Sequence, residues 1–140
     1  SGSIGDGYSV ASSLALGADF AYMGTRFIAT KEANADEGYK QMLIDSAADD
    51  IVYSSLFTGV SGNYLKPSIK NAGLDPDNLP EADKSSMNFG SGGNTDAKAW
   101  KDIWGSGQGI GGIKDDPSVE DLVTRLKEEY NKAKVEFNEK

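Results

Sequence analysis

The feature that most constrains this chain is a glycine-rich segment, 1–7 (SGSIGDG), which directly precedes a helical pattern and a short apolar run. Residues 8–16 (YSVASSLAL) place apolar side chains at i, i+1, i+4 and i+5, so they predict a helix with one apolar stripe. Gly17 supplies the stop of this helix. Residues 20–24 (FAYMG) predict a short buried strand, because strands of parallel sheets are continuous apolar runs. The order loop, helix, strand is most of a βαβ unit and predicts an α/β fold.

The glycine-rich segment also predicts a phosphate site. Glycine lets backbone N–H groups approach an anion without an intervening Cβ, and a helix N-terminus adds free N–H groups and a positive dipole end. Residues 23–27 (MGTRF) end the predicted strand, and in α/β barrels the loops after the last two strands often bind a phosphate together. The alternatives are a tight turn without a ligand and an ordinary strand exit. Arg26 is expected to form a surface ion pair.

The middle of the chain predicts one helix, one strand and a long excursion. Residues 32–47 predict a helix, and 50–57 (DIVYSSLF) predict a strand. Residues 58–98 are expected to be irregular, with only a short helix near 67–72. A segment this long with little regular structure is typical of a lid or a binding excursion.

The last part of the chain gives the clearest helical pattern. Residues 116–118 (DPS) offer an N-cap and a proline in the first turn. Seven apolar residues then share one face, which predicts a surface helix docked on a core; they are Val119, Leu122, Val123, Leu126, Tyr130, Ala133 and Phe137. Residues 99–104 predict a helical turn with Trp100 and Trp104 in the core. Residues 105–113 (GSGQGIGGI) predict a close-packed loop.

Composition excludes several kinds of site. The 140 residues contain neither cysteine nor histidine, so disulfides, thiolate chemistry and the commonest general base are excluded. The formal net charge of −8 argues against nucleic acid and anionic membrane surfaces as partners. No apolar run reaches the roughly 20 residues that span a bilayer, and no signal sequence begins the chain, so a cytoplasmic protein is expected. Asp115 and Asp116 have no third ligand nearby, which predicts an N-cap rather than a metal site.

Three blocks resemble the nitronate monooxygenase family, also called 2-nitropropane dioxygenases. They are 14–33 (LALGADFAYMGTRFIATKEA), 39–59 (YKQMLIDSAADDIVYSSLFTG) and 99–113 (AWKDIWGSGQGIGGI). The first block is shared loosely with enoyl reductases and with inosine-monophosphate-dehydrogenase-like barrels, whereas the third is more specific. With the helix that follows, the resemblance covers essentially the whole chain.

The resemblance implies an α/β fold, the C-terminal portion of an FMN-binding (β/α)₈ TIM barrel with a mostly helical and irregular closing segment. A complete barrel of this kind typically needs about 250 residues, so the 140 residues are expected to be part of a longer product. Residues 1–57 would be barrel elements with the phosphate-binding loops. Residues 58–112 would be a lid or extra-domain segment, and 113–140 a terminal amphipathic helix.

The resemblance also implies which residues contact the cofactor. The family's GGIAD loop appears here as GSIGD, with Ser3 at the second glycine, and its QMGT segment appears with Tyr22 in place of glutamine. The implied FMN contacts are Gly2, Ser3, Tyr22, Met23, Gly24, Thr25 and Gln108. Gln108 would approach the flavin or the substrate, and the alternative is that it caps a helix or bonds the local backbone.

The activity implied is oxidation of alkyl nitronates by O2 through FMN. The family's base is a histidine, which this chain lacks, so the catalytic base is expected outside it and the segment alone is expected to be inactive. The expected partners are a small nitronate, O2 and the remaining N-terminal barrel part. Exposed sheet edges would also favour a homo-oligomer. The alternatives are an NAD(P)H-dependent FMN reductase of enoyl or quinone type, and a non-catalytic structural fragment.

Overall fold

The computed structural model describes residues 1–80 and 102–139. The chain divides into two compact units, one made of Ser1–Ser46 with Gly107–Lys140 and the other of Ala47–Ser106. No helix in the two described ranges is long and apolar enough to cross a bilayer. The functional division of the chain into three parts stays a prediction.

Helix α1 (Gly7–Ala15) opens the first unit and begins where the sequence predicts. Asp6 is its N-cap, and the Asp6 carboxylate accepts the Ser9 N–H at 2.7 Å. Ser9 Oγ in turn accepts the Asp6 N–H at 3.1 Å. This reciprocal capping box satisfies two donors that a helix start otherwise leaves unpaired.

Gly17 ends α1, as predicted. Its φ of +94° lies in the left-handed region that favours glycine. The Gly17 N–H donates to the Leu14 carbonyl at 3.0 Å, and the Ala18 N–H donates to the Ser13 carbonyl at 3.1 Å. These two bonds form a Schellman motif, which satisfies the last carbonyls of the helix.

Residues 20–24 do not form a strand, so that prediction is wrong. Phe20 is 90% exposed and Tyr22 is 73% exposed. An apolar run becomes a strand only when a neighbouring strand accepts and donates its backbone hydrogen bonds. The described residues of the first unit contain no such strand.

Two short helices and a 3₁₀ helix follow in the same unit. Helix α2 (Thr25–Ile28) begins directly after Gly24, and helix α3 (Glu37–Asp45) begins after Asp36, whose carboxylate accepts the Gly38 N–H at 2.8 Å. The predicted helix over 32–47 is therefore confirmed in type but is shorter at both ends. The loop predicted at 105–113 contains a 3₁₀ helix, Gln108–Gly112.

The long terminal helix α5 (Val119–Asn138) is confirmed, with a different cap. Ser118 is the N-cap, and its Oγ accepts the Asp121 N–H at 3.1 Å. The predictions that Asp116 caps this helix and that Pro117 lies in its first turn are wrong, because both residues precede Ser118.

Helix α5 packs on α1, and a close approach at Gly7 makes this contact possible. A Cβ on Gly7 would collide with the Leu126 carbonyl oxygen and would lie 2.5 Å from Glu129 Cβ. The predicted apolar face is buried at Leu122, whereas Phe137 is 77% exposed. The reason is length, since α5 has 20 residues and α1 has nine.

The second unit contains an antiparallel hairpin followed by a helix. Strands β1 (Ile51–Ser54) and β2 (Gly62–Leu65) pair with Val52 opposite Tyr64, and helix α4 (Lys66–Asn71) follows. The strand predicted over 50–57 is confirmed in type but covers only Ile51–Ser54, and the helix predicted near 67–72 is confirmed. Residues 58–98 are expected from the sequence to be irregular, and this expectation is wrong at Gly62–Leu65, which form strand β2.

The hairpin and α4 share an apolar cluster. Phe57, Ile69 and Ile103 are buried in it, and the Phe57 ring meets the Tyr64 ring edge-on at 4.8 Å between centroids. Trp104, predicted to lie in the core, is half-buried, and its backbone N–H donates to Ser68 Oγ at 3.0 Å. Trp100 and residues 99–101 lie outside the described residues.

Candidate functional site

The first unit contains a cleft of about 180 Å³ where three loops meet. Its walls come from residues 1–5, from Tyr22 with 24–26, and from Gly107, Gly109 and Ile113 in and around the 3₁₀ helix. Five of the seven predicted cofactor contacts line it, namely Gly2, Ser3, Tyr22, Gly24 and Thr25. The cleft is smaller than the roughly 300–1,000 Å³ of whole-ligand pockets, so its size suits one end of a ligand.

The other two predicted contacts lie beside the cleft rather than in its wall. Met23 lines a separate, open groove. Gln108 is exposed at the start of the 3₁₀ helix, between Gly107 and Gly109, which both line the cleft. Contact of these two side chains with a cofactor stays a prediction.

Ser3 takes a backbone conformation that normally favours glycine. Its φ is +54°, and that of the preceding Gly2 is +93°. A left-handed conformation costs a non-glycine residue roughly 1–2 kcal/mol. The neighbouring backbone is close, because a Cβ on Gly109 would lie 3.0 Å from the Ser3 carbonyl carbon. A strained residue in the wall of a cleft is typical of functional sites.

The start of α1 supplies fewer free donors than the reasoning from the glycine-rich loop and helix predicts. The N–H groups of Gly5 and Asp6 donate to Ser9 Oγ at 3.2 Å and 3.1 Å. The Gly7 N–H donates to the Glu129 carboxylate on α5 at 2.8 Å. Protein oxygens therefore occupy the N–H groups of Gly5, Asp6 and Gly7, which the sequence reasoning had assigned to an anion.

The available donors lie instead at the start of the loop and at the start of α2. Across the described part of the chain, the N–H groups of Gly2, Ser3 and Ile4 meet no protein acceptor, and neither do those of Thr25 and Arg26. All five residues line the cleft. Two separate backbone segments whose N–H groups meet no protein acceptor thus line one cleft, which is an arrangement suited to a phosphate.

Thr25 links the second of these segments to the third wall of the cleft. Thr25 Oγ1 accepts the Gly107 N–H at 2.8 Å. Because this bond uses an oxygen lone pair, the Thr25 O–H can still donate to a ligand. Gly107 must remain small here, since a Cβ would lie 3.3 Å from Thr25 Oγ1.

Arg26 forms an ion pair with Asp115 in which the arginine side chain is buried, so the expectation of a surface ion pair is wrong. Its side chain is 3% exposed, and it donates to the Asp115 carboxylate at 2.9 Å and to the Ala29 carbonyl at 3.1 Å. The other Asp115 oxygen accepts from Arg125 at 2.7 Å. Sequence reasoning missed this network because Asp115 lies 89 residues beyond Arg26.

Burial and charge within this network shift the pKa values of Arg26 and Asp115. Burial lowers the pKa of Arg26, and Asp115 opposes that shift. The hydrogen bond from Arg125 lowers the pKa of Asp115, and Arg26 acts in the same direction. In its carboxylate form, Asp115 therefore pairs with both Arg26 and Arg125. Within 1–80 and 102–139, no three acidic side chains are grouped so as to hold a metal ion.

The cleft offers hydrogen-bond donors rather than an acid–base pair. Among its lining residues, Tyr22 and Arg26 are the ones with titratable side chains, and no carboxylate is among them. An anionic group would therefore meet donors without an opposing acidic side chain.

Comparison with known proteins identifies related sequences. A family model described as nitronate monooxygenase matches residues 1–129. The nitronate monooxygenase of Paraburkholderia phytofirmans is 37% identical over 75 residues, which are 54% of this chain and 20% of that protein. A probable nitronate monooxygenase of Staphylococcus aureus is 31% identical over 81 residues, which are 54% of this chain and 23% of that protein. The chain thus spans about a fifth of the length of the curated relatives that it matches.

Solved structures resemble nearly the whole chain. A nitroalkane oxidase from Streptomyces ansochromogenes matches 97% of this chain and 40% of its own, at 27% identity and a TM-score of 0.70. FabK from Thermotoga maritima matches 98% of this chain and 45% of its own, at 20% identity and a TM-score of 0.66. These likenesses confirm the predicted fold class, part of a (β/α)₈ barrel.

Proposed function

The chain belongs to the nitronate monooxygenase family, and from this premise we propose that it supplies the FMN phosphate site of an oxidoreductase that oxidises alkyl nitronates with O2. The assignment of the phosphate site to the cleft rests on one observation. Two backbone segments, 2–4 and 25–26, line the same small cleft in the described first unit, and their N–H groups meet no protein acceptor there.

The cleft fits a phosphate group in both charge and space. Backbone N–H groups favour an anion, and no carboxylate lines the cleft to repel one. Gly24 has no atom within 4 Å of the place where a Cβ would stand, so the backbone there is open to a ligand. The Ser3 and Thr25 hydroxyls add two side-chain donors.

The residues of the cleft would each have a defined part in binding. Gly2, Ser3 and Thr25 would donate to phosphate oxygens, and Tyr22 and Gly24 would form part of the wall. Arg26 would act indirectly, because its guanidinium is held by Asp115 and Ala29 and thereby fixes the start of α2. Gln108, exposed beside the cleft, would approach the flavin ring or the substrate.

FMN, when bound, would supply the redox chemistry with O2. This chain's residues would bind and orient the phosphate end, while the catalytic base would come from the remaining N-terminal barrel part. On this proposal residues 1–140 alone are inactive towards nitronates. The small-molecule partners would be an alkyl nitronate and O2.

The phosphate contact can be tested with a charge placed beside it. In the complete gene product, Ser3→Asp should weaken FMN binding at least about tenfold, because two negative charges would share the cleft. Riboflavin, which lacks the phosphate, should bind the variant about as well as it binds the unaltered protein. Aspartate tolerates a left-handed backbone, so the loop conformation is retained.

Ser12→Asp is the matched control, because Ser12 is an exposed serine in the first unit that does not line the cleft. It adds the same charge and should leave both dissociation constants unchanged. Equal losses for FMN and riboflavin in Ser3→Asp, or an equal loss of FMN in both variants, would argue against a phosphate contact at Ser3.

The reaction is tested separately on the flavin-loaded complete gene product. We expect this protein to consume oxygen when propionate-3-nitronate is added. We also expect its flavin to stay oxidised when NADPH or NADH is added without air. Rapid flavin bleaching by either nicotinamide, with no nitronate-dependent oxygen uptake, would favour the FMN reductase of enoyl or quinone type. A complete gene product that binds no FMN would favour the structural fragment.

A further inference from the structure

The first donor segment of the cleft, residues 2–4, is attached to helix α5 through Gly7 and Glu129. Gly7 is the first residue after the loop that contains this segment, and its N–H donates to the Glu129 carboxylate at 2.8 Å. The backbones are also in close contact, because an added Cβ on Gly7 would lie 2.5 Å from Glu129 Cβ. The contact prevents the end of the loop from moving closer to α5, and the hydrogen bond opposes its moving away.

The second donor segment, residues 25–26, is attached to the same helix through Asp115. Arg125 on α5 donates to both oxygens of the Asp115 carboxylate, at 3.1 Å and 2.7 Å. Asp115 also accepts from the Arg26 side chain at 2.9 Å. A two-point bond between a guanidinium and a carboxylate fixes orientation as well as distance. Arg125 therefore helps to determine where α2 begins relative to α5.

Arg125 and Glu129 lie on one face of α5, because residues four apart in a helix are neighbours about one turn from each other. Neither of them is among the residues that line the cleft in the described part of the chain. The negative charge of Glu129 also favours the charged forms of Arg26 and Arg125. Since a helix holds its side chains more precisely than a loop does, this face of α5 offers two attachment points at a fixed spacing.

We propose that Glu129 and Arg125 are positioning residues for the FMN phosphate, which set the distance between the two donor segments from one face of α5. A phosphate can accept from both segments only when that distance matches its size, and donors of this kind must be held within about 0.5 Å of the binding geometry. The inference rests on the proposed phosphate site and deepens it, because it assigns a part in phosphate binding to residues outside the cleft. The alternative is that the two side chains only hold α5 on the rest of the unit.

Two substitutions of Glu129 in the complete gene product test the first attachment. Glu129→Ala removes the acceptor of the Gly7 N–H, so the dissociation constant for FMN should rise at least about fivefold, whereas that for riboflavin, which lacks the phosphate, should change less than about twofold. Glu129→Gln keeps an acceptor oxygen and should bind FMN about as well as the unaltered protein. Glu128→Ala is the matched control, because Glu128 is an exposed residue of the same helix; both dissociation constants should stay unchanged.

Three results at Glu129 would overturn the proposal. Equal losses of FMN and riboflavin binding in Glu129→Ala, or an FMN loss that Glu129→Gln does not restore, would leave Glu129 with a structural role only. Tighter FMN binding by Glu129→Ala would mean that the carboxylate competes with the phosphate for the Gly7 N–H. Arg125→Lys tests the second attachment, and also serves if Glu129→Ala does not fold. It keeps the positive charge but not the two-point bond, so FMN binding should weaken at least about threefold relative to riboflavin; an unchanged ratio would count against the proposal.

The variant that combines Glu129→Ala with Arg125→Lys tests whether the two attachments act together. If they set one distance, either substitution alone releases it, so the combined loss of FMN affinity should be smaller than the product of the two single losses. A combined loss equal to that product would indicate two independent contacts and would refute a shared role of α5. Unaltered protein that binds FMN no more tightly than riboflavin would instead remove the phosphate site itself, so failure of the proposed function is recorded separately.

Discussion

Arg26 and Asp115 are joined by an ion pair of 2.9 Å in which the arginine side chain is 3% exposed and the aspartate side chain is 43% exposed. The pair connects the first turn of α2, which lines the cleft, to the segment that precedes α5. Asp115 also accepts from Arg125 on α5 at 2.7 Å. A single carboxylate thus ties a cleft wall to the longest helix of the unit.

Asp115→Asn should destabilise the protein by about 1–3 kcal/mol. Removal of one partner of a buried pair leaves an uncompensated charge, which costs about 3–5 kcal/mol when both groups are buried; the exposure of Asp115 reduces that figure. Urea unfolding monitored by circular dichroism measures the change. Glu136→Gln, which removes an exposed partner of Lys132 at 3.7 Å, should leave the midpoint nearly unchanged. Equal effects of the two substitutions would contradict the structural role of Asp115.

The same pair predicts an acid dependence of stability. The folded-state pKa of Asp115 is lowered, first by the hydrogen bond from Arg125. Its contribution is therefore present above the unfolded pKa of about 3.9 and is lost as the pH falls through the lower folded value. Unfolding midpoints measured between about pH 5 and pH 2 should fall less steeply for Asp115→Asn than for the unaltered protein. If the midpoints of the two proteins fell in parallel, other carboxylates would dominate the acid dependence of stability.

Gly7→Ala should disrupt the packing of α5 on α1. The added methyl group would collide with the Leu126 carbonyl oxygen, and a backbone atom cannot move aside as a flexible side chain can. Overpacking of this kind costs about 1–3 kcal/mol or more, although alanine is the better helix former. Gly111→Ala is the matched control, because no atom lies within 4 Å of its Cβ position. Thermal unfolding should show a lower Tm for Gly7→Ala only.

Sequence reasoning succeeded where the cause of a structure is local. The helix predicted over 8–16 and its end at Gly17 depend on residues within a few positions of one another. The helix of residues 119–138 follows from its own apolar periodicity. Such features can be predicted from a short window because they need no distant partner.

Sequence reasoning failed where the local structure depends on a partner that is distant in the sequence. Residues 20–24 have the composition of a buried strand, but strand formation requires a neighbour that composition does not reveal. The burial of Arg26 depends on Asp115, and the loss of free donors at Gly7 depends on Glu129 on α5. Five of the residues that the resemblance implies as FMN contacts line the cleft, but which N–H groups remain available there depends on such distant partners.

Ser3→Gly should stabilise the protein and keep its preference for FMN over riboflavin. Glycine adopts the φ of +54° seen at Ser3 without the Cβ contact, which relieves roughly 1 kcal/mol, partly offset by greater freedom in the unfolded chain. The backbone N–H is retained, so the phosphate keeps that donor. Ser3→Ala keeps the strain and removes the hydroxyl, so it should bind FMN more weakly than Ser3→Gly if the hydroxyl contributes. Urea midpoints and the two dissociation constants, measured on all three proteins, separate strain from hydrogen bonding. A lower midpoint for Ser3→Gly than for the unaltered protein would show that the left-handed conformation is not strained at this position.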